Sequence, residues 1–377
     1  MDHTVTEDNT YDTAEMTAHI RMNDIKKTFA GGQIVACDNV SLDIDSTDFV
    51  VLLGPSGCGK TTTLRCLAGL EQPDSGSIYI GDEEITGKKP KDRDLAFVFQ
   101  SIALFPHMSV QENISFGLDM ISDFSTEEKD QRVEQVASML GIEPMLARKP
   151  AELSGGQQQR VSLGRAMVME PEAFLLDEPF SALDANLRDQ MRVEVKQLQR
   201  ELETAMVFVT HDQEEAMTLG DEIVVMDDGT IQQIGSPYEI YNEPTNEFVA
   251  RFIGSPSANF TQCEVIESDT GLTIECDFFR VALSDEQVEQ YDGASGQSVT
   301  LGIRPEYLNL SEISLFEAEV SVIEPHGARD AVHLTAEGMS MTATTAQGKI
   351  SRETETVAVD FETDNMWLFD DNGERLL

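Results

Sequence analysis

The chain has 377 residues, with 69 acidic against 26 basic side chains and a formal net charge of −43 at pH 7. A nucleic-acid binder needs a basic footprint, and this composition supplies none. The acid is spread along the whole chain, as suits a solvated surface in high salt where self-repulsion is screened, and the length points to two domains of ordinary globular composition.

In chain order, the opening stretch "MDHTVTEDNTYDTAEM" lacks the basic and apolar regions of a signal peptide and reads as a disordered leader over 1–18. Residues 19–244 mix strand and helix patterns. "DFVVLLG" (48–54) is a buried strand running into a glycine-rich turn, and "KTTTLRCLAGL" (60–70) is a helix closing near Gly69. "LAFVFQ" (95–100) is a short buried strand. "STEEKDQRVEQVASMLG" (125–141) is a capped amphipathic helix, with Ser125 and Glu128 as capping box and Val133, Val136 and Leu140 as apolar stripe. "AFLLDE" (173–178) and "AMVFVTHD" (205–212) are further core strands, separated by a helix on which Leu187, Met191, Val195, Leu198 and Leu202 recur. "EIVVMDDGTIQQIG" (222–235) is a hairpin turning at Asp228-Gly229. Such buried strands with intervening helices imply a largely parallel α/β core.

Residues 245–377 read as a second, mostly β domain, with one short helix pattern near "SDEQVEQY". In "FEAEVSV" (316–322), Phe316, Ala318, Val320 and Val322 fall on one face. The five cysteines are odd in number and show no C-x-x-C spacing, which argues for a reducing compartment and against a disulfide framework or a zinc site. No apolar run approaches the roughly 18 residues of a membrane span, so a partner would supply any spanning helices.

"GPSGCGKT" (54–61) fits G-x-x-x-x-G-K-[ST] between a strand and a helix. Loop N–H groups and the helix N-terminus converge on an anion, Gly54, Gly57 and Gly59 allow the tight turn, Lys60 charges the β/γ-phosphates and the Thr61 hydroxyl reaches Mg²⁺. The expected nucleotide-binding stretch is Gly54, Pro55, Ser56, Gly57, Cys58, Gly59, Lys60, Thr61 and Thr62. Cys58 reads in two ways. It is either a small buried filler or a thiol whose pKa the helix N-terminus and Lys60 lower, open to inactivating thiol reagents.

Asp177, at the end of a buried strand, suits Mg²⁺ held through its water shell, and Glu178 can take a proton from an attacking water. His211, just past another strand, can reach a γ-phosphate, and the Gln100 amide can contact Mg²⁺ or the water. The apolar segment after it, "SIALFPHMS", is either core or a contact surface for a partner. A second glycine cluster opens a helix at "LSGGQQQR" (153–160). Ser154 caps it, Gly155 and Gly156 expose N–H groups, and with Gln157 they form a second phosphate cradle without a lysine. A two-subunit sandwich follows: the lysine loop of one copy holds ATP and the Ser154-Gly155-Gly156 turn of the other closes over the γ-phosphate.

The phosphate loop, Gln100, "LSGGQQQR", "FLLDEP", "SALD" and His211 occur in the order and spacing of the ATP-binding-cassette ATPases, which residues 20–240 resemble. The resemblance implies an α/β P-loop NTPase cassette with a helical subdomain over 101–165. It implies ATP and Mg²⁺ as cofactors, an adenine stacked on Phe29, and Asp184 of "SALD" in the loop coupling two sites across a dimer. "GIRPEYL" (302–308) and "IGSPSANF" (253–260) resemble the smaller C-terminal β domain, OB-like or TOBE-type, of importer ATPases. The whole chain is most similar to the maltose/trehalose and pentose uptake type of salt-adapted microbes.

What that implies is an ATPase peripheral to the cytoplasmic face of the membrane. Its partners would be two permease subunits, an extracellular solute-binding protein and a second copy or paralogue. The tail is either dimer padding or a docking site for a regulator. "SPSANF" lacks the Met usual before Asn-Phe, and Phe180 occurs also in polyamine and sulfate relatives, so polyamine, glycerol phosphate or an inorganic anion are alternative solutes. A soluble cassette acting on nucleic acid or the ribosome is the alternative of a different class.

Overall fold

The computed structural model describes residues 20–120, 124–268, 271–311 and 315–377. The leader expected over 1–18 lies outside them. By internal contacts the chain divides into a first unit, up to Val50 and from Thr61 to Val209, and a second, Val51–Lys60 with Thr210–Leu377.

In the first unit, strands Leu95–Val98, Ala173–Asp177 and Ala205–Thr210 run parallel side by side, with Ala173 opposite Leu95 and Asp177 opposite Val209. Every residue of the latter two strands is buried, which is why they read as continuous apolar runs. An antiparallel sheet of Ile34–Ile44, Ile20–Phe29, Ser75–Ile80 and Glu83–Glu84 lies in the same unit. Helix Lys60–Ala68 follows the glycine loop, and Arg93 closes its far end. Arg93 is buried and donates to the Cys66 carbonyl at 2.8 Å and the Leu67 carbonyl at 2.6 Å, with further bonds to Thr86 and Lys88. A cation on the last carbonyls complements the helix dipole.

Helices Val110–Asp119, Thr126–Met139 and Gly155–Met167 each start with a reciprocal capping box, from Ser109 with Glu112, Ser125 with Glu128 and Ser154 with Gln157. Gly164 lets the third helix approach the other two, since a Cβ there would sit 3.1–3.4 Å from Leu140, Val136 and Ile114. Helix Ala185–Leu202 is capped by Asp184 and buries Met191, Val195 and Leu198.

In the second unit, Glu222–Asp227 and Thr230–Gly235 pair antiparallel through Asp228 and Gly229, both at positive φ as a tight hairpin turn requires. Two short helices, Pro237–Asn242 and Glu247–Phe252, precede two five-stranded sheets. One is ordered Arg280–Ala282, Gly271–Cys276, Asn259–Ser268, Gln297–Ile303, Met366–Phe369; the other Asn309–Ser311, Thr356–Asp360, Phe316–His326, Arg329–Ala336, Met339–Ala346. Their shared core includes Val265, Ile274, Leu301, Val332, Val359 and Leu368. Helix Asp285–Gln290, capped by Ser284, is the short one expected near "SDEQVEQY".

Two expectations are overturned in this unit. Cys263 and Cys276 form a disulfide. They stand directly opposite each other on paired antiparallel strands, so register brings them together although their spacing in sequence gives no hint. Val322 is 52% exposed instead of sharing the buried face of Phe316 and Ala318, because a register shift between Val320 and Val322 breaks the alternation.

Candidate nucleotide site

The glycine loop belongs to the second unit. Gly57 and Gly59 have φ of 87° and 109°, where only glycine sits without strain. Gly54 is required for a different reason: a Cβ there would lie 2.2 Å from the Met226 carbonyl oxygen and 2.7 Å from Cys58 Sγ. The hairpin turn braces the loop, Gly229 N–H donating to the Cys58 carbonyl at 3.0 Å. Lys60 is buried, and its ammonium donates to the carbonyls of Gly54 at 2.8 Å and Pro55 at 2.7 Å. Ser56 and Gly57 are exposed at the loop's tip, and Thr62 is half-buried on the first turn of the following helix.

Cys58 is a correction. It is 4% exposed, and burial pushes its thiol up against the opposing pull of Lys60. Desolvation of a thiolate outweighs the nearby ammonium, so of the two readings the buried filler holds. The reactive low-pKa thiol does not.

Within the first unit, the Thr61 hydroxyl donates to Asp177 Oδ1 at 2.9 Å, joining the start of the helix to the end of a core strand. Asp177 is buried. Glu178 follows at φ 43°, a left-handed conformation uncommon for a side chain of this kind, and its N–H donates to Val209 O at 3.1 Å. Gln100 Nε2 donates to Glu178 Oε2 at 3.1 Å, fixing the carboxylate. Hydroxyl, carboxylate and amide carbonyl are the hard oxygen donors that Mg²⁺ takes, so these residues fit that ion chemically. His211, in the second unit, is exposed at the first position past strand Ala205–Thr210.

Ser154 N-caps helix Gly155–Met167, and Gln157 Oε1 accepts from Ser154 N–H at 2.9 Å. The two glycines after Ser154 differ. A Cβ on Gly156 would sit 2.7 Å from Leu187 Cδ1, so that side chain would have to shift, whereas one on Gly155 would meet only Leu183 at an ordinary 3.6 Å. Bare backbone at Gly155 is not required by the fold. Asp184 is exposed and engaged as a cap, Oδ1 accepting from Leu187 N–H at 3.1 Å. Phe29 ends its strand 36% exposed, with Lys27 Nζ 5.2 Å from the ring centre.

The loop after Gln100 is tied down by a residue that carries no motif. Asn113 is fully buried and exchanges bonds with Phe105 N–H (2.8 Å) and the carbonyls of Phe105, Met108 and Ser109. Arg165 donates to Ala103 O at 2.6 Å and lies 5.7 Å from the Phe105 ring centre. Beside the loop is a groove of about 460 Å³ whose lining includes Phe97, Met120, Arg165 and Met169.

Residues 37–181 match the family model described as ABC transporter, and residues 254–308 the one described as MalK OB fold domain. The xylose/arabinose import ATP-binding protein XacK of Haloferax volcanii is 48% identical over 371 residues, covering 95% of either chain. The trehalose/maltose import ATP-binding protein MalK of Thermococcus litoralis is 46% identical over 369 residues, covering 94% of this chain and 98% of that protein. A dimeric ATP-binding cassette solved in a post-hydrolysis state with ADP and Pi is 32% identical with a TM-score of 0.52, over 58% of this chain and 98% of its own.

Proposed function

The chain belongs to the ATP-hydrolysing, ATP-binding subunits of ABC importers, and from that premise we propose that it energises uptake of a sugar. The solute class rests on relatives whose names specify xylose/arabinose and trehalose/maltose import. The chain works from the cytoplasmic face through two membrane permease subunits served by an extracellular binding protein. Among the described residues no helix is long and apolar enough to cross a membrane, which makes the spanning helices the partners' contribution. The groove beside Phe97 and Met120 receives a short helix from a permease subunit; its mixed apolar and cationic lining suits an amphipathic one. The charge of −43 suits a salt-rich cytoplasm.

The single observation that carries the catalytic reading is the pair of hydrogen bonds Thr61–Asp177 and Gln100–Glu178. They tie a hydroxyl at the start of helix Lys60–Ala68 to a carboxylate at the end of strand Ala173–Asp177, and an amide just past strand Leu95–Val98 to the next carboxylate. Lys60 takes the β/γ-phosphates with the loop N–H groups. Thr61, Asp177 and Gln100 would hold Mg²⁺, which when bound would offset phosphate charge. Glu178, oriented by Gln100, accepts the proton of the attacking water, and His211 donates to the γ-phosphate side. Phe29 stacks on adenine. A second copy contributes Ser154, Gly155 and Gln157 to close the site, and Asp184 lies along that seam.

The test is ATP hydrolysis and labelled-sugar uptake in cells carrying Glu178→Gln. Loss of the general base predicts hydrolysis down by about 100-fold or more, with pentose or disaccharide uptake abolished. Normal hydrolysis would end the catalytic assignment, and unchanged sugar uptake with normal expression would end the sugar reading.

A further inference from the structure

His211 stands at the head of helix Gln213–Leu219, whose N-cap Asp212 accepts from the N–H groups of Glu214 and Glu215 at 2.9 and 3.3 Å. Gln213, the next residue, clasps a distant piece of backbone with both ends of its amide. Nε2 donates to the Phe252 carbonyl, and Oε1 accepts from Gly254 N–H at 2.8 Å. His211, Gln213, Met217, Tyr241, Ile253 and Gly254 line one cleft of about 730 Å³.

The clasped backbone is itself anchored. Arg304, at the end of strand Gln297–Ile303, is fully buried and makes no ion pair with a carboxylate among the described residues. Its guanidinium donates to the carbonyls of Ala250 (3.1 Å), Ile253 and Tyr241 (2.7 Å), and lies 4.2 Å from the Tyr241 and 4.9 Å from the Trp367 ring centres. A buried cation is stabilised here by the carbonyl ends of two short helices and two aromatic faces. Gly254 makes the approach feasible: its φ is +110°, and a Cβ would lie 2.8 Å from Arg304 Nη1. Covalent and hydrogen-bonded links thus run without a gap from the C-terminal β sheet, through Arg304 and residues 253–254, to Gln213 and the loop of His211.

We propose that Gln213 is a positioning residue for His211, and that Arg304 anchors it, so that the C-terminal β domain sets the reach of the histidine. This rests on the reading of His211 as a γ-phosphate contact. A displacement of β-sheet strands by a ligand or partner would be passed to the histidine loop along this chain of hydrogen bonds and intervening backbone.

The experiment measures kcat and KM for ATP in the full-length chain carrying His211→Ala, Gln213→Ala or Gln213→Glu. Misplacing a γ-phosphate contact lowers kcat, so Gln213→Ala should lose about tenfold in kcat while KM changes by less than about twofold. The near-isosteric Gln213→Glu carries its own signature. Ionised, the introduced carboxylate sets an oxygen against the Phe252 carbonyl; protonated, it donates there. Its activity relative to the unsubstituted chain should therefore rise as the pH is lowered toward the ordinary glutamate range of about 4–5, while that of Gln213→Ala stays flat. The titratable groups facing it are His211, Asp212 and Glu214 of its own loop and helix, Tyr241, and Arg304. Full activity of His211→Ala would remove the reading beneath the proposal. An impaired His211→Ala beside unchanged kcat in both Gln213 variants, or a pH profile for Gln213→Glu parallel to that of Gln213→Ala, would overturn the proposal itself.

Discussion

Among the described residues, each unit of the molecule buries one arginine without a carboxylate partner, and the two arginines serve different ends. In the first unit Arg93 gathers the last carbonyls of helix Lys60–Ala68 and so fixes the element that starts with Lys60 and Thr61. In the second unit Arg304 gathers carbonyls from helices Pro237–Asn242 and Glu247–Phe252, together with the Ile253 carbonyl just past the latter, and holds the backbone that Gln213 clasps. Burial lowers the pKa of both guanidinium groups, yet carbonyl dipoles keep each where it is. The same device steadies the phosphate-binding helix in one place and the histidine loop in the other. On the proposed roles, reacting groups in this protein would be set by polar anchors that take no part in chemistry.

Removing each cation tests whether the two anchors act locally. Arg93→Met and Arg304→Met each remove a guanidinium that donates to three or four backbone carbonyls and should each lose about 2–4 kcal/mol in urea unfolding. Each loss should appear in the transition of its own unit. A single shared transition with equal loss would mean that the anchors are not local. Gly156→Ala sharpens the picture on a smaller scale. Crowding Leu187 should destabilise by about 1–3 kcal/mol, whereas Gly155→Ala should stay within about 0.5 kcal/mol in the same denaturation assay and show its effect in hydrolysis. If Gly155→Ala is the more destabilising of the two, the distinction between packing and function at that turn is wrong. The smallest effect concerns Cys58. Its raised pKa means less thiolate than an ordinary thiol at a given pH, so alkylation should lag a free-cysteine standard near neutrality and catch up only in alkali. Mass-spectrometric labelling at several pH values checks this, and fast labelling at neutral pH would contradict it.

Much of the candidate site was legible because its signals are local. The phosphate-loop spacing, the acidic pair closing "AFLLDE" and the serine cap at 154 each occupy a few consecutive residues, and the strand and helix around each form as expected over Phe49–Leu53, Lys60–Ala68 and Gly155–Met167. The helix expected over 125–141 runs Thr126–Met139 with the expected capping box. What escaped depends on pairing between distant segments. Arg93, Asn113 and Arg304 find backbone carbonyls, which carry no side-chain signature, and Arg304 reaches residues more than fifty positions away. The Cys263–Cys276 bond follows from strand register, and the exposure of Val322 from a bulge; periodicity reads neither. The glycine pair at 155–156 shows the converse: one motif, read as a single anion cradle, combines a packing requirement at Gly156 with freedom at Gly155.

The claim on which the account turns is that two copies share each ATP, with the serine-glycine turn of one closing the site of the other. Glu178→Gln should allow that closure without hydrolysis, so sedimentation velocity of this variant should give a dimer when ATP is added and a monomer without it. Adding Ser154→Arg, which crowds the turn while leaving Lys60 in place, should return the ATP-bound protein to monomer with nucleotide still bound. A dimer that persists undiminished in the double variant would contradict the shared site.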